Sequence, residues 1–131
     1  MIVLDTHAWI WLVNDPRLLS PSARKAAEQA LSRNAIYISS ISVWEAALLS
    51  ASGRIKLTMD VHDWIAGSEA LPFFNFVPVD NAILLRSVSL PGPLHNDPAD
   101  RIIIATAMIK GMPVVTKDEK IWKYSKVKSI W

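Results

Sequence analysis

Cysteine is absent from the 131 residues, which removes at once any disulfide framework and any metal site built on thiolates. Nothing therefore argues for an oxidising compartment. Long apolar runs are missing too, since the longest, Ile102 to Ile109, falls far short of the roughly 20 residues that cross a bilayer. The chain meets Asp5 after only Ile2, Val3 and Leu4, so no export signal is legible and the cytoplasm is the expected location. Charge imbalance is small: a net +2 and a pI near 9.0 suit a nucleic-acid partner without demanding one. The three histidines, His7, His62 and His95, show no paired ligand spacing, which argues against zinc. Repeats, linkers and low-complexity segments are lacking as well, so one domain over residues 1–131 with one core is expected.

What the chain has in quantity is apolar surface. Half of it is hydrophobic, mean hydropathy is +0.24, and six tryptophans sit in a chain too small to cover them all. Some tryptophans are expected on surfaces that bind partners, with Trp9, Trp11 and Trp44 as candidates, against the alternative that all three pack in the core at helical spacing.

Ile2-Val3-Leu4 reads as a buried strand, and His7 to Val13 as a helix ended by Asp15-Pro16. Ser20-Pro21 is a cap followed by proline at the first helical position, opening a helix that runs toward Asn34. Ala35 to Ile38 reads as a second strand, and Ser42 as the start of a helix through Ala51. Val61, Trp64 and Ile65 suggest one or two helical turns before the Pro72-Phe73-Phe74 break. Phe76 to Val79 is a third strand, followed by a helix that Asp80 caps. Asp97 and Pro98 begin a long buried helix, stopped by Gly111 and Pro113. Pro113 to Thr116 is a fourth strand, a helix spans Glu119 to Tyr124, and Val127 to Trp131 adds a fifth strand at an edge. Strands alternating with helices predict a three-layer α/β/α fold around a short twisted parallel sheet of four to five strands.

In such sheets ligands collect beyond the carboxyl ends of the strands, and here acids occupy those turns. Asp5 follows the first strand, Glu45 lies in the first turn of the helix after the second, Asp100 opens the long helix, and Asp118 follows the fourth strand. Each also suits a helix start, where a negative side chain gains about 0.3–1 kcal/mol. Ser42-Val43-Trp44-Glu45 and Thr116-Lys117-Asp118-Glu119 both fit capping boxes, and Thr6 could cap the first helix in place of Asp5. Convergence would change the balance. Two carboxylates about 4 Å apart repel by roughly 4 kcal/mol at an effective dielectric near 20, which capping cannot offset and a cation can. Oxygen ligands favour magnesium or manganese.

Four pieces in register carry a likeness across nearly the whole chain. They are Leu4-Asp5-Thr6-His7, the segment Ser42-Val43-Trp44-Glu45-Ala46-Ala47, the run from His95 through Asp97, Asp100 and Arg101 into Ile103-Ile104-Ala105-Thr106-Ala107, and Val115-Thr116-Lys117-Asp118. Together they resemble the PIN-domain family, most closely the VapC toxins of toxin–antitoxin pairs. The resemblance implies an RNA endonuclease with an acidic pocket for Mg2+, or Mn2+ in its place. Asp5, Glu45 and Asp100 match the family's ligands, and Asp118 a fourth acid that often acts through water. Asp5 and Asp100 would hold one metal, with Glu45 and Asp118 completing that site or a second one. Asp97 matches a subgroup acid but is read as the helix cap, as is Asp80. Thr6 and Thr116 would orient carboxylates or water. The resemblance further implies a homodimer silenced by a VapB-like antitoxin whose tail fills the groove.

Substrate grip is expected from Lys117 and Lys120, within a basic stretch that continues through Lys123, Lys126 and Lys128, and from Arg101 beside Asp100. Two rival readings are a receiver-like phosphoacceptor module built on Asp80 and Thr116, and a PIN-like domain that binds nucleic acid or protein without cutting. The first lacks the paired acids and the terminal lysine that receivers resemble one another in having.

Overall fold

The computed structural model describes residues 1–131. Five parallel strands form one sheet: β1 (Ile2–Leu4), β2 (Ile36–Ser39), β3 (Phe74–Val77), β4 (Val114–Val115) and β5 (Ser129–Ile130), in the order β3-β2-β1-β4-β5. Seven helices connect them: α1 (Thr6–Asn14), α2 (Pro21–Leu31), α3 (Ser40–Ala51), α4 (Val61–Glu69), α5 (Asn81–Val88), α6 (Pro98–Lys110) and α7 (Glu119–Trp122). No helix is long and apolar enough to cross a membrane.

Strand alternation divides the core into the two faces of a three-layer fold. Leu4, Ile36, Ile38 and Val115 pack with Ala8 and Trp9 of α1, Ala23 and Ala30 of α2 and Trp64 of α4. Val3 and Val114 point the other way, onto Ile103 and Ala107 of α6. Ile103, Ile104 and Ala105 are wholly buried, which makes α6 the most enclosed helix; each buried isoleucine contributes about 1.5–3 kcal/mol of transfer free energy.

Trp9 does not reach a partner-binding surface. It is fully buried, with its ring 4.7 Å from that of Trp64 and 5.6 Å from that of Phe76. Trp11 is half-buried against Trp131 and His7, and only Trp44 of the three stands well exposed.

Several boundaries differ from the sequence reading for local reasons. β3 ends at Val77 because Pro78 has no N–H to continue the ladder, and it begins two residues earlier than expected, at Phe74 opposite Ile36. Asp5 itself caps α1, accepting from Thr6 N at 2.8 Å. α3 is capped by Ser39, whose hydroxyl accepts from Ile41 N, so Ser42 lies inside the helix and no capping box forms with Glu45. Asp118 rather than Thr116 caps α7. α4 runs nine residues from an Asp60 cap, longer than its short apolar pattern suggested.

The winding places the site. From β1 the chain moves outward through β2 to β3, then returns through α5 and α6 to lay β4 on the opposite side of β1. Crossovers leave β1 and β4 in opposite directions, so a crevice opens beyond their carboxyl ends.

Candidate active site

Asp5 and Thr116 are the residues that follow β1 and β4, and they meet in this crevice. Asp5 is almost wholly enclosed; one carboxylate oxygen accepts from Thr6 N, the other from the Thr116 hydroxyl at 2.7 Å. Thr116 Oγ1 also accepts from Asp118 N at 3.0 Å, so a single hydroxyl fixes the orientation of one acid and the backbone of another. Asp118 accepts from Lys120 N, which directs its carboxylate across the start of α7.

The other two acids come from α3 and α6. Glu45 stands in the second turn of α3 rather than the first, because the helix opens at Ser40; it accepts from the Thr6 hydroxyl at 2.5 Å, and the Ser42 hydroxyl lies 2.8 Å from the same Thr6 oxygen. Asp100, in the first turn of α6, lies 2.6 Å from His95 Nε2, which as the Nε2–H tautomer donates to its carboxylate. Asp97 caps that helix through Asp100 N at 2.9 Å, as expected, while its residue still lines the crevice. Asp5, Glu45, Asp97, Asp100 and Asp118 thus border one open cleft of about 630 Å³, together with Thr6, His95, Arg54, Lys117 and Lys120.

The electrostatics register this crowding. Burial pushes the Glu45 carboxyl up to about 7, and the charges of Asp5, Asp100 and Asp97 push it the same way against the Thr6 hydrogen bond. Asp100 is pushed up to about 6 by burial and by Asp5, Asp97 and Asp118, although the His95 hydrogen bond favours its charged form. Burial also raises Asp5 despite two hydrogen bonds. A concentration of negative charge that the protein's own cations leave unneutralised is what a divalent ion would relieve. The donor chemistry agrees: carboxylate oxygens suit magnesium or manganese, and ligand atoms of His95, Asp100 and Asp118 all lie within 4.8 Å of one another.

His95 is the residue that sequence reasoning missed. A search for paired histidine spacing passes over it because its partner is a carboxylate five residues on, past the Asp97-Pro98 helix start. The available signal was its place at the head of the run that carries Asp97 and Asp100. Its Nδ1 is buried with no partner.

Arg101, expected to touch RNA, is committed elsewhere. It lies outside the acidic cleft and donates to Ser87 O at 2.8 Å and to Leu94 O and His95 O at 3.3 Å, bracing the loop that presents His95. Lys117 and Lys120 do line the cleft and are exposed, with Lys117 Nζ 5.6 Å from the Trp11 ring centre. Asp80 caps α5 through Ile83 N at 2.9 Å, beyond the end of the outermost strand β3 and away from Asp5, so the receiver-like arrangement of acids does not form.

Known proteins share this fold. The PIN domain family model matches residues 2–127. The ribonuclease VapC22 of Mycobacterium tuberculosis is 32% identical over 120 residues, covering 92% of this chain and 88% of its own. Among solved structures, VapBC2 from Rickettsia felis bound to a promoter DNA fragment superposes with a TM-score of 0.68 at 18% identity, over 98% of this chain and 97% of that one. FitAcB from Neisseria gonorrhoeae gives 0.63 at 23% identity, over 98% and 96%. The structural likenesses establish the fold, and the family model with the 32% relative goes further: this chain belongs to the PIN domain family.

Proposed function

We propose that the chain is a metal-dependent RNA endonuclease acting as the toxin of a toxin–antitoxin pair. The observation that carries this reading is the meeting of Asp5, Glu45, Asp100 and Asp118 in one cleft, from four segments far apart in sequence. Kinship with a ribonuclease supports RNA as the substrate.

Asp5 and Asp100 would hold Mg2+ or Mn2+, with Asp118 and Glu45 within the same cleft to complete its surroundings. Bound there, the ion supplies a water of lowered pKa and positive charge for the phosphate's non-bridging oxygens. The protein's part is to fix those ligands in advance. Thr116 and Thr6 N hold both oxygens of Asp5, Thr6 Oγ1 holds Glu45, and His95 holds Asp100, so little reorientation remains when substrate arrives. No side chain needs to act as nucleophile. Water attacking in line would leave a 5′ phosphate and a 3′ hydroxyl.

Purified protein should cut RNA with Mg2+ or Mn2+, stop when the metal is chelated, and yield those ends on chemical end-mapping. Products bearing 2′,3′-cyclic phosphate would refute hydrolysis by water, because they require the ribose hydroxyl. DNA assayed in parallel reports whether the sugar is read at all.

Lys117 and Lys120, which line the cleft beside Asp118, would grip the RNA backbone. Reversing both charges should raise KM and flatten its dependence on salt, by about 0.7 in log–log slope for each phosphate that is no longer neutralised. An unaltered slope would show that they face only solvent.

The partners follow from the same reading: a VapB-like antitoxin, and a second copy of the chain. For the second copy we favour the outer face of α5, where Leu84, Leu85 and Val88 form an exposed apolar cluster beside Ile102. Leu85→Asp should convert a dimer into a monomer in sedimentation, and an unchanged mass would exclude that face.

A further inference from the structure

The acids account for only part of the cleft's wall. On α3, Trp44 precedes Glu45 and Leu48 follows one turn later, and both stand on a face the core does not use: Trp44 is 55% exposed and Leu48 49%. Across from them lie Pro98 and Ala99 at the start of α6. Between the two helices runs a recess of about 250 Å³ with Trp44, Leu48, Leu49, Pro98 and Ala99 as its apolar walls. It is continuous with the acidic cleft, because Glu45, Leu49, Arg54 and Asp97 border both. Arg54 is exposed at this junction and takes no part in the chain's four salt bridges.

We propose that this recess receives the unpaired RNA base beside the scissile phosphate, stacked on Trp44, with the Arg54 guanidinium on the adjoining phosphate. The inference rests on the RNA endonuclease reading and deepens it. A nucleotide offers a flat π face and an anion side by side, and Trp44 and Arg54 offer the complement of each. The recess is one short slot opening onto the acids, too small to bed the length of a partner helix. Lys117 and Lys120 border the acidic cleft but not the recess, so the backbone is held by Arg54 on one side of the acids and by the lysines on the other. A base stacked between α3 and α6 has left its duplex, which makes the substrate single-stranded at that nucleotide.

The test is an abasic scan of an RNA oligonucleotide whose cut site has been mapped with the unaltered protein and Mn2+. Removing the base at one position next to the cut should lower kcat/KM about 5- to 150-fold, chiefly through KM. Trp44→Ala should suffer a comparable loss on intact RNA and become indifferent to the abasic substitution at that position, while Trp44→Phe should recover most of the loss. Arg54→Ala should raise KM and flatten its salt dependence. Both side chains are exposed, so unchanged melting temperatures would establish that the variants remain folded. Parental KM and undiminished abasic sensitivity in Trp44→Ala would overturn the inference. So would loss of antitoxin binding by Trp44→Ala with RNA cleavage intact, which would give the recess to a protein. Unaltered protein that cuts no RNA in the presence of metal would instead bring down the nuclease reading itself.

Discussion

Asp100→Asn protein is expected to lose RNA cleavage by at least about a thousandfold while melting, free of metal, at the same temperature as the parent or higher. The two halves of this expectation have one cause. Asparagine can still accept from His95 Nε2–H and leaves Asp97's cap on residue 100's backbone untouched, so local geometry survives. What disappears is a negative charge that burial and three neighbouring acids already disfavour, as its carboxyl at about 6 records. Removing it should relieve the metal-free fold and deprive the cleft of one of the proposed anionic ligands, and loss of bound metal costs several kcal/mol of transition-state stabilisation. A variant that lost activity only because it unfolded would melt lower instead. Undiminished metal-dependent cleavage by Asp100→Asn would exclude Asp100 from the metal site.

The second large effect is an inverted dependence of stability on pH. Glu45 and Asp100 titrate in the folded chain at about 7 and about 6, above the ordinary value of about 4 for carboxyls in an unfolded chain. Between those limits the folded state binds more protons than the unfolded one. The stability they contribute is therefore complete below about pH 4 and is lost as pH rises through 6 and 7. Asp5 acts in the same direction. Asp15 and Asp60 act in the opposite one, lowered by hydrogen bonds from Arg17 and His62, but their effect is confined to the acid side of the ordinary range. Allowing for the partial exposure of Glu45 and Asp100, the loss is on the order of 1–2 kcal/mol, or about 3–8 °C in melting temperature. Mg2+ or Mn2+ should reverse it, raising the melting temperature strongly at pH 7.5 and hardly at pH 5, where protons compete for the same oxygens. Asp100→Asn should remove part of the pH slope. A metal-free melting temperature that is level or rising from pH 5 to 8, and indifferent to Mn2+, would contradict a shared pocket.

Element type was legible wherever local chemistry decided it. Ser20-Pro21 and Asp97-Pro98 open helices in the structure as their capping pattern predicts, and Gly111 at φ 66° ends α6 in the left-handed conformation a Cβ would disfavour. Where two caps competed, sequence was a poor guide. Ser39 and Ser42 are both good N-caps, and the choice fell to Ser39 because β2 ends there and the Ser42 hydroxyl is held at Thr6. Asp5, Asp100 and Asp118 were found because each follows a strand or opens a helix, and Glu45 because it lies soon after β2. His95, Arg54 and the structural task of Arg101 were not found, since what a side chain touches across α3, α5 and α6 leaves no spacing signal.

By itself the sequence determined the alternation of strand and helix, the number of layers, and the small set of carboxylates standing at strand ends. These follow from periodicity, caps and turns, which act over a few residues. Only the tertiary structure decided that β4 lies beside β1, and with it that Thr116 holds Asp5 across 111 residues of chain. That pairing is a matter of which sheet edge was free to take the returning strand. The charge density of the cleft exists only once it has formed.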